Sequence, residues 1–254
     1  MTFQKRNHAV EGFLKFSPDS RFSANDPEDH MTAGGPRVFV GVPCVGWMHT
    51  LAVLAQRQLV LPPASQWFFD ESWSTIAEKR NHIIEEFLRS ECEYLFSLDS
   101  DMTPRPDSVR RLLEHQKDIV GALYCTRFPS FPVTAGRRTS PDGRGHIDGG
   151  LGWPISPGQG LQRVDAAGIG AMLIGRRVLQ TLEPPWCEWP QPMGGTLDDS
   201  IAFCDKARTA GFELWTDSDL EVGHLITWPV TPSCHPEPGH WTFPQHGFDA
   251  LEGR

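Results

Sequence analysis

The stretch STIAEKRNHIIEEFLRSECEYLFSLDSDMTP, residues 74–104, changes its hydrophobic period halfway along. Its first half places Ile76, Ile83, Phe87 and Leu88 on one helical face. Ser74 or Thr75 can cap that helix, and Glu78 stands at capping-box distance from Thr75. The second half, Tyr94 to Leu98, reads as a short buried strand. That strand stops on Asp99-Ser100-Asp101, two carboxylates one residue apart. Their mutual repulsion has to be offset, by water or by a cation.

Working outward, PDSVRRLLEHQ predicts a second helix, with Pro106 near its first turn and Asp107 placed early. DIVGALYC follows as a strand. Upstream, RVFVGVP is a β-branched strand stopped by Pro43, and SQWFFDES is a second strand. Strands alternating with helices predict right-handed crossovers and a mostly parallel sheet flanked by helices, an α/β fold. In open sheets of this kind ligands bind outside the carboxyl ends of the strands, where Asp99 and Asp101 fall.

Residues 1–36 are polar and broken by Pro18, Pro27, Gly34, Gly35 and Pro36, so they predict an irregular extension with at most one short helix near Val10 to Phe16. Residues 127–162 are rich in Gly, Pro, Arg and Ser and predict a long excursion, of the kind that is functional or mobile. VDAAGIGAMLIGRRVLQTL then gives a glycine-bearing strand and a short helix. DDSIAFCDKARTAGF is a helix opened by acids and closed by Gly211. FELWTDSDLEVGHL supplies two short strands, and the tail from Trp228 is rich in Pro, His and Trp.

The chain has 254 residues, with 23 Lys and Arg against 32 Asp and Glu and a formal charge of −9. That balance argues against a bulk binder of nucleic acid or anionic membrane, although a local basic patch can still serve either. No apolar run is long enough to span a bilayer, and the N-terminus lacks the apolar core of a signal peptide. The six cysteines are scattered without a CxxC pair, which suits free thiols and a cytoplasmic location.

A D-x-D at a strand end suits a hard divalent cation. Mg²⁺ is often held by one or two carboxylates, with substrate phosphates and waters completing the shell. Mn²⁺ accepts the same set and tolerates histidine. Asp-Ser-Asp also suits a solvated turn, so the pair alone does not decide.

Its surroundings add to it. The helix carrying Arg80-Asn81, the strand ending in Leu98-Asp99-Ser100-Asp101 and the following Pro104 resemble the nucleotide-sugar-binding half of GT-A glycosyltransferases, family 2-like and DxD-containing. VDAAGIGAMLIGRRVL looks like the strand and helix before their acceptor site. LDDSIAFCDKARTAGFELWTDSDLEVGH is similar to their acidic helix, short strand and histidine. The resemblance covers roughly residues 37–227, in the expected order.

It implies a GT-A-like fold with a Rossmann-like nucleotide-sugar-binding core over 37–227, after the 1–36 extension and before a 228–254 tail packed on or near the active site. It also implies Mn²⁺ or Mg²⁺ and a nucleoside-diphosphate sugar donor. By the same resemblance, Asp99 faces the ribose or a metal-bound water, and Asp101 ligates the metal beside the diphosphate. His224 completes the metal shell, Arg80 lies near the nucleotide, and Pro43 marks the start of the base and ribose pocket. Asp198 and Asp199 match the acidic pair where inverting members keep their general base. Counted back from Phe203, however, that pair falls on Asp199 and Ser200. Either the helix start is shifted by one residue and Asp199 serves, or the base is missing, and a retaining enzyme would not need it.

Other residues keep two readings. Gly168 and Gly170 permit close backbone packing or the approach of a sugar. Trp153, Trp186 and Trp189 stack on a sugar or cap the core. Cys234, His235, His240 and His246 match no standard zinc spacing. Arg127, Arg137, Arg138 and Arg144 stand against one acid, Asp142, a basic stretch that can meet phosphates. The expected activity is metal-dependent sugar transfer to an acceptor hydroxyl, on a glycan first and on hydroxylated-base DNA second. The alternatives are a nucleotidyltransferase making an activated sugar and a nucleotide-sugar-binding module without turnover.

Overall fold

The computed structural model describes residues 35–127, 131–137, 153–188 and 199–226. The expectations for residues 1–34, for Asp198, for Arg138 and Arg144, for Trp189 and for the tail from Trp228 lie outside these residues.

The chain begins with β1 (Val38–Pro43), α1 (Thr50–Arg57), β2 (Gln66–Asp70), α2 (Ile76–Arg89), β3 (Tyr94–Leu98), β4 (Met102–Thr103), α3 (Ser108–Glu114) and β5 (Ile119–Leu123). It continues with β6 (Ala135–Arg137), β7 (Trp153–Pro154), β8 (Leu161–Val164), β9 (Ala166–Ala167), β10 (Ala171–Gly175) and α4 (Arg176–Thr181). α5 (Asp199–Thr209), β11 (Leu214–Glu221) and β12 (Gly223–His224) complete it.

Seven strands form the central sheet in the order β2-β1-β3-β10-β5-β11-β8. β2, β1, β3, β5 and β11 run one way, and β10 and β8 run against them. Both faces of the central strands are covered, so β1, β10 and β5 read as continuous apolar runs. On one face Phe39, Leu95, Met172 and Ile174 pack with Ile83, Ile84 and Phe87 of α2, Leu179 of α4 and Phe203 of α5. On the other, Val38, Val40, Val42, Phe96, Leu98 and Leu173 pack with Val109 and Leu112 of α3.

Local chemistry sets the element ends. Thr75 caps α2 by accepting from the Glu78 amide at 3.3 Å, while Glu78 Oε2 accepts from the Thr75 amide at 2.8 Å. Such a box contributes about 1 kcal/mol. Gly211, at φ +90°, ends α5 as expected, donating to the Arg208 carbonyl, while Phe212 donates to that of Ala207.

Two features depart from the sequence reading. The glycine-bearing strand, β10, is inserted antiparallel between β3 and β5. α1 was not expected at all: it buries only Ala52 and Gln56 and leaves Leu51, Val53 and Leu54 exposed, so no apolar face announces it.

Candidate functional site

Asp99 and Asp101 sit just past the carboxyl end of β3. The Asp99 amide donates to the Gly170 carbonyl at 2.9 Å, which ties this turn to the entry of β10. Gly170 leaves no free room for a side chain: a Cβ there would stand 2.6 Å from Asp99 Oδ2 and 2.9 Å from Tyr124 Oη. At Gly168 a Cβ would meet Tyr124 Oη at 2.0 Å. Close packing around Tyr124 and Asp99 therefore accounts for both glycines.

Asp101 and His224 are brought together by the small sheet β4–β12, in which His224 pairs with Met102. The Leu225 amide also donates to the Asp101 carbonyl at 2.9 Å. His224 Nε2 lies 3.4 Å from Asp101 Oδ2. Its other nitrogen, Nδ1, lies 2.8 Å from the Cys125 carbonyl oxygen, which can only accept, so Nδ1 carries a proton. Nε2 is thereby turned towards the Asp101 carboxylate, an arrangement that suits a shared cation. The Tyr124 ring packs edge-on against the imidazole, with centroids 5.6 Å apart.

This donor set fits a hard divalent ion. A histidine locked by a backbone carbonyl is the usual outer-shell arrangement of a ligating imidazole. Two adjacent ligands of an octahedral ion held at about 2.1 Å stand roughly 3 Å apart, close to the spacing seen here. Among the described residues no three His, Cys, Asp or Glu side chains converge on one point. The remaining positions would fall to phosphates and water, as is common for Mg²⁺.

Asp101 is additionally held by Arg127, whose Nη1 donates to Oδ2 at 2.8 Å. Burial pushes the Asp101 carboxyl up, but the hydrogen bond and charge of His224, together with Arg127, outweigh it and hold it below the usual carboxylate range. Arg137, grouped with Arg127 in the basic stretch, instead donates to the Arg163 carbonyl at 3.2 Å.

Arg80 does not face open solvent. Its Nη2 contacts Asp99 Oδ1 and Oδ2 at 2.9 and 3.0 Å, and its Nη1 contacts Asp199 Oδ1 and Oδ2 at 2.7 and 2.6 Å. Burial opposes its charge, yet Asp99 and Asp199 raise its pKa well above the ordinary value. Asp199 opens α5 and is buried beneath this guanidinium. The helix start and the D-x-D turn are thus tied through one arginine.

Pro43 ends β1 beside Asp70, the last residue of β2. Beyond it the chain borders an open hollow of about 570 Å³ lined by Val45, Gly46, Trp73, Ser74, Glu78 and Lys79 among others. Two residues here escaped the sequence reading. Lys79 is buried, and its ammonium donates to the carbonyls of Cys44 at 2.8 Å, Asp70 at 3.4 Å and Ser72, clamping the ends of β1 and β2 together. Asp70 accepts from the Ser72 amide at 2.8 Å and faces His82 Nδ1 at 2.9 Å. Burial raises its pKa, but these hydrogen bonds prevail and lower it. The Asp-x-Ser spacing at a strand end was the available signal for that turn. Trp186 caps the core: it is buried and donates Nε1–H to the Leu179 carbonyl at 2.8 Å.

No protein-family model matches the sequence, and no curated protein matches it. Solved structures do share the fold. A197 from STIV aligns with a TM-score of 0.54 at 16% identity, over 75% of this chain and 86% of that one. GalNAc-T7, solved with UDP, GalNAc and Mn²⁺, aligns with a TM-score of 0.51 at 13% identity, over 75% of this chain and 44% of that one. The architecture is GT-A-like, a mixed α/β fold with a mostly parallel central sheet flanked by helices, as expected from the sequence. Among the described residues no helix is long and apolar enough to cross a membrane.

Proposed function

We propose that the chain is a metal-dependent glycosyltransferase, moving a sugar from a nucleoside-diphosphate sugar to an acceptor hydroxyl. The observation that carries this reading is the Asp101–His224 pair: an oxygen and a nitrogen ligand 3.4 Å apart, outside the carboxyl end of a central strand. A GT-A-like fold and a similar structure solved with UDP, GalNAc and Mn²⁺ agree with it.

In this reading Asp101 and His224 hold Mn²⁺ or Mg²⁺, and Asp99 stands beside them to meet the ribose or a metal-bound water. The bound ion would neutralise the charge developing on the departing diphosphate. The hollow beyond Pro43 receives the nucleoside, with Lys79 fixing its floor by joining β1 to β2. Arg80 holds Asp99 in place through contacts to both of its oxygens. Taking the acceptor proton is the task of a carboxylate within hydrogen-bond reach of the hydroxyl. Asp199 serves only if donor or acceptor binding draws it away from Arg80, which otherwise engages both of its oxygens. Asp198, its neighbour, is the second residue proposed for that role. A glycan is the favoured acceptor, and DNA carrying hydroxylated bases the second.

The closed Arg80–Asp199 pair favours one further reading, a nucleotide-sugar-binding module without turnover. Incubation with Mn²⁺ and a panel of nucleotide sugars separates the possibilities. Metal-dependent release of free nucleotide supports the transferase, binding without release supports the module, and pyrophosphate release in a separate incubation with a nucleoside triphosphate and a sugar 1-phosphate points to a nucleotidyltransferase.

A further inference from the structure

The ion proposed for Asp101 has a competitor within the chain. Arg127 Nη1 lies 2.8 Å from Asp101 Oδ2, the same oxygen that faces His224 Nε2 at 3.4 Å. We propose that Arg127 is a built-in counter-ion, standing in for the divalent cation at Asp101 in the metal-free protein and displaced when the cation binds. This rests on the reading of Asp101 and His224 as cation ligands.

The three groups are not equally free to move. His224 is fixed by its bond to the Cys125 carbonyl and by the edge of Tyr124, and it is only 14% exposed. Asp101 is fixed through its own carbonyl, which accepts from the Leu225 amide. Arg127 is 54% exposed and projects two residues beyond Cys125. The chain beneath it is anchored, because Cys125 bridges to Val133 and the Thr126 amide donates to the Pro132 carbonyl at 2.9 Å. An exposed ion pair is weak, so the guanidinium can leave without disturbing the two ligands.

The arrangement has a consequence for the order of binding. A single positive charge already satisfies the carboxylate, so a cation arriving alone must displace it. A cation arriving with a diphosphate brings its own ligands and displaces Arg127 more readily. The device keeps Asp101 compensated without metal and lowers the affinity for free cation until the donor is present.

Mn²⁺ titration of the full chain without nucleotide, read by calorimetry or by the loss of free-ion electron paramagnetic resonance signal, tests this. Arg127→Gln is expected to bind Mn²⁺ about fivefold more tightly than the parent, near the upper end of what an exposed ion pair contributes. Arg127→Lys, which keeps the charge, is expected to stay near the parent value. Equal or weaker Mn²⁺ binding by Arg127→Gln, with binding lost in Asp101→Ala, would overturn the counter-ion role and leave the ligand reading standing. Undiminished Mn²⁺ binding by Asp101→Ala would overturn both.

Discussion

Arg80 and Asp199 lie 119 residues apart in sequence and meet as a closed pair, Nη1 standing 2.7 and 2.6 Å from the two carboxylate oxygens. Because the same guanidinium also grips Asp99, its removal leaves two carboxylates facing each other with no cation between them. Breaking a buried pair from one side costs about 3–5 kcal/mol, much of it for the charge left behind. Arg80→Met is therefore expected to lose that much stability in urea denaturation. Arg80→Lys recovers only part of it, since one ammonium cannot fork between two carboxylates. Unchanged stability in Arg80→Met would show that the two acids do not depend on this arginine.

Asp101→Ala is expected to behave in the opposite way. Asp101 is a quarter exposed and its partners Arg127 and His224 both reach water, so the stability change should stay within about 1 kcal/mol. Metal-dependent donor hydrolysis should nonetheless fall to background, because His224 alone cannot hold a hard cation beside a diphosphate. Survival of that activity in Asp101→Ala places the metal elsewhere.

These two contrasting cases mark what the sequence discloses. α2 and β3 were legible because an amphipathic face, a capping box and an apolar run each require only neighbouring residues. The turn at Asp99 and Asp101 was legible for the same reason. The direction of β10 was not: AMLIG is buried on every side, and such a run carries no mark of parallel or antiparallel pairing. Nor was the burial of Lys79 and Arg80 on α2, since their partners come from the ends of β1 and β2, the turn after β3 and the start of α5, and not from the helix itself. His224 was singled out by the order of motifs. The backbone carbonyl that orients its ring, on Cys125, has no sequence signature.

Gly170 offers a sharper test of the turn. A methyl group at this position would stand 2.6 Å from Asp99 Oδ2 and 2.8 Å from Met102 Cε, so something must move. Met102 can bend away, but Asp99 is held by Arg80 and cannot yield without breaking that bond. Gly170→Ala is expected to cost about 1–3 kcal/mol, as overpacking usually does. It should also weaken nucleotide binding, measured by thermal shift with a nucleoside diphosphate and Mn²⁺. Tyr124→Phe removes the acceptor for the Gly170 amide, 3.0 Å away, and should cost about 1 kcal/mol or a little more. A Gly170→Ala protein as stable as the parent, with unaltered nucleotide binding, contradicts the tight packing described.

Away from the candidate site, Asp217 is expected to contribute to the response to acid. Its carboxylate is fully buried in β11, where Arg111 contacts Oδ2 at 2.5 Å and Oδ1 at 2.9 Å and His115 Nε2 stands 2.8 Å from Oδ2. Burial pushes the carboxyl up, but Arg111, His115 and the Asp219 amide outweigh it and bring it down to about 2. A group depressed from 3.8 to about 2 on folding contributes stability that is fully present above the unfolded value. That stability is lost as the pH falls from about 4 towards 2, because protonation favours the unfolded chain. The contribution is about 2 kcal/mol, and it acts where α3 docks on the sheet. Asp217→Asn should therefore lower stability at neutral pH and flatten its decline between pH 4 and 2, followed by urea denaturation at each pH. A decline as steep as the parent's would assign the acid sensitivity to other carboxylates.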